Sequence, residues 1–98
     1  MMSVERSSQR CELHAAADLL ATLDERLIEH LTVDDSRTFV LYNEAILDLT
    51  VSDGDLCAAR SFTIGLQGFA QRVSDPDPES VITALCRDLT ASIDTKQR

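Results

Sequence analysis

Basic side chains are scarce in this chain: nine lysines and arginines stand against seventeen aspartates and glutamates, a net charge of −8. That deficit argues against direct nucleic-acid binding, because phosphates need Lys and Arg, and equally against an anionic membrane surface. No apolar run approaches the length of a membrane span. The opening MMSVERSSQR is polar and does not read as a signal peptide. Glycine occurs three times and proline twice, and there is no phosphate loop, dinucleotide fingerprint or HExxH motif. The three cysteines, Cys11, Cys57 and Cys86, form no CxxC pair. Such an odd, widely spaced set reads as reduced and cytoplasmic, with Cys57 and Cys86 as small apolar packing residues.

Acid is what the chain does have. Between Glu12 and Asp55 lie eleven acidic side chains and only two basic ones, Arg26 and Arg37. Self-repulsion of that size calls for a reason beyond folding: solubility is one, a basic partner another. The 98 residues, 44% apolar, suit one domain spanning 1–98, with flexible ends at about 1–7 and 95–98.

Apolar spacing predicts an all-α fold, a compact four-helix bundle. The first helix runs from Val4 or Ser8 to Leu31, with Leu13, Ala16, Leu20, Leu23, Leu27 and Leu31 along one stripe. A turn at 32–36 follows. Residues 36–50 admit two readings. As a helix they carry Phe39, Tyr42, Ile46 and Leu49 on one side, with Val40 and Leu47 on another. As a β-hairpin they offer TFVLY and ILDLTV, but the link Asn43-Glu44-Ala45 lacks the glycine of a tight turn. The helix is preferred.

A third helix is expected to begin after Ser52 and Asp55, read as a capping box, and to bury Leu56, Ala59, Phe62, Leu66, Phe69, Ala70 and Val73. Cys57, Ser61, Gly65 and Gly68 line its adjoining side, nearly bare of side chain. Asp75-Pro76-Asp77-Pro78 is the clearest boundary; Asp77 caps a fourth helix and Pro78 opens it. Val81, Ile82, Leu85, Cys86, Leu89 and Ile93 form its inner face.

No residue constellation names a chemistry. Cys11 and His14 could face one way on a helix, but a metal would need two further ligands of suitable type, and only scattered acids are available. His30 lies too far along the same helix to join them. No positive charge stands by to activate a cysteine. Neither catalysis, metal nor cofactor is expected. Asp24 falls within the apolar stripe and is expected to drift to its flank.

The expected function is therefore non-enzymatic: a small acidic regulator, an inhibitor or anti-activator that occludes a surface of a target protein. Asp18, Glu25, Glu29, Asp34 and Asp35 are the candidate contacts for a basic surface, as on a transcription regulator or a nuclease. A nucleic-acid-mimicking phage antagonist of a host defence nuclease and a small assembly or chaperone subunit are the alternatives. A homodimer is expected through Val40, Leu47, Cys57, Ser61, Gly65 and Gly68, because two helices would have more apolar or small surface than a monomer uses.

Overall fold

The computed structural model describes residues 8–69 and 77–96. It overturns the helical bundle: among the described residues the fold is mostly β, a five-stranded antiparallel sheet with two helices. The elements are β1 (Ser8–Ala17), α1 (Leu19–Glu25), β2 (Glu29–Asp34), β3 (Arg37–Tyr42), β4 (Ala45–Asp55), β5 (Ala58–Phe69) and α2 (Pro78–Lys96). Their order in the sheet is β1-β5-β4-β3-β2. From β2 to β5 the chain meanders between neighbours, while α1 carries it from one edge strand to the other. The predicted 1–7 tail, Ala70, Val73 and the Asp75-Pro76 boundary lie outside the described residues.

Only the last predicted helix survives at its full length. Asp77 caps α2, its Oδ1 accepting the Ser80 amide at 3.2 Å. Ile82, Leu85, Leu89 and Ile93, spaced for one helical face, are buried. The first predicted helix is instead three elements. Residues 8–12 and Ala17 pair with β5, placing Cys11 opposite Phe62; pairing at both ends of β1 outweighs the helix propensity of the alanines that precede Ala17. Asp18 then starts α1, its Oδ1 accepting the Ala21 amide at 2.9 Å. Two bonds end it: Leu27 N–H donates to the Asp24 carbonyl at 3.1 Å and Ile28 N–H to the Leu23 carbonyl at 2.9 Å. This is a Schellman motif with Leu27, at φ 58°, where glycine is usual.

The second and third predicted helices are strands as well. Residues 36–51 are the β-hairpin set aside on turn chemistry, with Tyr42 pairing Ala45. Asn43 and Glu44, at φ 50° and 64°, build the type I′ geometry without glycine. Ala45, Leu47, Leu49 and Val51 alternate inward along β4. In β5 the inward set is Phe62, Ile64 and Leu66, at the period of a strand. Ser52 and Asp55 cap no helix: Ser52 Oγ lies 2.7 Å from Ser61 Oγ, and Asp55 Oδ1 accepts the Cys57 and Ala58 amides in the β4–β5 turn.

Leu56 locks that turn to the rest of the fold. Its side chain is buried. Its amide donates to the Asp35 carbonyl at 2.7 Å, and its carbonyl accepts from Leu19 at 2.8 Å. Gly54 stands in the same hairpin at φ 100°, where a Cβ would collide with the Ala58 carbonyl oxygen. Both helices pack on the same sheet face, closing a core of Leu19, Leu23, Leu47, Leu49, Phe62, Ile64, Leu85 and Leu89.

Candidate partner-binding face

With the helices on one side, the other side of the sheet is left uncovered among the described residues. Side-chain alternation sends Glu29 and Leu31 of β2 there, beside Phe39 and Leu41 of β3 and Ile46 and Asp48 of β4. Val33 is the extra residue of a bulge between Thr32 and Asp34. Leu31 is 70% exposed and Val33 50%; Leu41 and Ile46 are exposed as well. Leu31, Phe39, Leu41 and Ile46 surround a shallow depression of about 190 Å³, with Glu29 on its rim.

The rest of this face is polar. Arg37 divides the two halves, its guanidinium carbon 5.1 Å from the centre of the Phe39 ring. Its Nε and Nη2 donate to the Asp48 carboxylate at 3.0 and 2.6 Å. Thr50 Oγ1 and Gln67 Nε2 donate to the same carboxylate at 3.0 and 3.2 Å. Burial pushes the Asp48 carboxyl up, but hydrogen bonds from Arg37 and Thr50, with the Arg37 charge, outweigh it and hold the group below the usual carboxylate range. Its contribution to stability is thus present above the ordinary aspartate value and lost as pH falls through the lowered one.

The predicted contact residues fall in different places. Asp18 caps α1 and Glu25 ends it, so neither lies on the open sheet face. Glu29 does. Asp34 and Asp35 sit at the turn joining β2 to β3, at the far end of the same strand. The Ser36 amide and hydroxyl donate to Asp34 Oδ1 at 2.8 and 3.1 Å, and these bonds lower its pKa. Asp24 is exposed, with His30 Nε2 at 3.7 Å.

The predicted small-residue helix seam does not exist. Val40 and Leu47 are buried partners across β3 and β4. Cys57 is an exposed, free thiol in a turn. Ser61 bonds Ser52, Gly65 lies opposite Asp48, and Gly68 lies opposite Ile46. The surplus helical surface that suggested a homodimer is therefore absent.

Two contacts went unread in the sequence. Cys11 and Cys86 form a disulfide between β1 and α2, their Cα atoms 6.6 Å apart. Cys11 is thus tied to Cys86, while His14 is exposed on β1. Among the described residues no group of three or more His, Cys, Asp or Glu side chains is placed to hold a metal. The second contact joins Tyr42, Asp88 and Arg26. The Tyr42 hydroxyl and Arg26 Nη2 each donate to the Asp88 carboxylate at 2.7 Å, tying β3 and the end of α1 to α2. Comparison with protein families, curated proteins and solved structures yields no match. No described helix is long and apolar enough to cross a membrane.

Proposed function

We propose that this chain is a non-enzymatic protein-binding module that acts as an inhibitor or anti-activator by occluding a surface of a basic target. One observation carries the reading: a contiguous group of apolar side chains, Leu31, Leu41 and Ile46 around Phe39, is exposed on the sheet face that no helix covers. Exposed apolar surface beside polar residues is the mark of an interaction site rather than of a solubilising one. The net charge of −8 would steer a basic protein toward it. The acids are spread over a helix cap, a helix end and a turn rather than along one groove. That favours a protein partner over imitation of a phosphate backbone. A cytoplasmic home was expected from reduced cysteines; the Cys11–Cys86 bridge favours an oxidising compartment instead.

The test is capture of a partner, its identification by mass spectrometry, and reconstitution from purified proteins. Wild type is then compared with the Leu31→Lys/Ile46→Lys double variant. Both positions are exposed, so the variant should keep its fold. Binding should weaken at least tenfold in the variant, and the association rate should fall as salt rises. Equal affinity for both proteins would remove the sheet face from the mechanism.

A further inference from the structure

We infer that the partner contributes a strand: an extended, basic-ended segment adds to the free edge of β2 and extends the apolar surface beside Leu31. The inference rests on the protein-binding reading and specifies its form. β2 is the last strand of the sheet and bonds only to β3; among the described residues no strand pairs with its outer edge. Such an edge presents unpaired amides and carbonyls to any extended chain.

Edges are commonly guarded by charge, proline or irregular pairing. The opposite edge, β1, is guarded in this way: Arg10 and Glu12 are exposed and joined at 3.2 Å, and its register breaks between Glu12 and Ala17. β2 also carries a bulge, between Thr32 and Asp34, but unlike β1 it exposes large apolar side chains, Leu31 and Val33, along its length. An added strand would set alternate side chains beside Leu31, on the surface that continues to Phe39 and Leu41. Backbone bonding and apolar contact thus occur together at this edge.

Charge selects the occupant. Glu29 stands at one end of β2, with Glu44 in the neighbouring turn; Asp34 and Asp35 stand at the other end. Arg37, the cation on β3, is engaged by Asp48. A segment apolar at alternate positions, with Lys or Arg at each end, matches this pattern. A second copy does not: it would bring a charge of −8 against −8 and set the acids of one β2 near those of the other.

The test uses a capped heptapeptide alternating valine and threonine between terminal lysines, followed by amide NMR on the full chain. Saturable shifts confined to residues 29–34 and their β3 partners are expected, with slowed amide exchange along β2. Methylating alternate peptide nitrogens, replacing the lysines by glutamates, or introducing Leu31→Lys should each weaken binding at least tenfold. Shifts elsewhere, undiminished binding of the methylated peptide, or no saturation at millimolar peptide would overturn the inference. So would sedimentation showing the free protein to be a dimer paired through β2. A reconstituted partner that depends on Ile46 but leaves β2 exchange unchanged would sink strand addition alone, leaving face binding intact. Insensitivity to Leu31 and Ile46 together would sink both.

Discussion

Tyr42 shows how much one side chain can report on this fold. It is the only tyrosine, and the chain has no tryptophan, so its ultraviolet titration is free of interference. Burial, then the hydrogen bond to Asp88, pushes its hydroxyl up to about 12. Folding thus favours the protonated phenol. The associated stability is complete below the unfolded value of about 10 and is lost as pH rises from there through the folded one. Tyrosinate absorbance in native protein should therefore appear near pH 12, and Asp88→Asn should move the midpoint back toward the ordinary value. A native midpoint at the ordinary value would mean that the hydroxyl is solvated and the link between β3 and α2 is open. This contact is not legible in the sequence, since Arg26, Tyr42 and Asp88 meet only when α1, β3 and α2 pack together.

At the scale of elements, the legible part was what local spacing determines. The helix period at Ile82, Leu85, Leu89 and Ile93 and the cap at Asp77 were readable because α2 is a long amphipathic helix. Spacing misled elsewhere because strand residues can imitate a helix. Phe62, Leu66 and Phe69 fit a helical stripe, while the inward strand set is Phe62, Ile64 and Leu66. The hairpin is legible in TFVLY and ILDLTV, and the glycine missing from the link Asn43-Glu44-Ala45 is what argues against it. Left-handed backbone costs an L-residue about 1–2 kcal/mol, and the remaining sheet offsets it. That cost makes a prediction. Glu44→Gly and Leu27→Gly each relieve a positive φ at an exposed position. After glycine's own entropic cost, each should raise stability by about 0.5–1 kcal/mol in urea unfolding. Destabilisation by either would mean that the side chain makes a contact outweighing its backbone strain.

Across the whole molecule, one covalent link joins distant parts of the chain. Cys11 and Cys86 are 75 residues apart, and their bridge fastens the edge strand β1 to α2. Beside it, Thr83 Oγ1 donates to Gln9 Oε1 at 3.1 Å, a weaker tie between the same two elements. Closing so long a loop removes denatured-state entropy worth about 4 kcal/mol in the chain-entropy treatment, with measured bridges typically giving about 2–4. For a domain whose total stability is of order 5–15 kcal/mol, this is a substantial share. Two measurements check it on oxidised protein. Denatured without reductant, each chain should yield one titratable thiol, that of Cys57, rather than three. Reduction, or the Cys11→Ala/Cys86→Ala pair, should lower thermal stability by about 10 °C or more. The open sheet face lies opposite the helix layer that the bridge fastens. Partner binding by the folded, reduced protein should therefore match that of the oxidised form. A loss of binding at a temperature where the reduced chain remains folded would tie the sheet face to the position of α2.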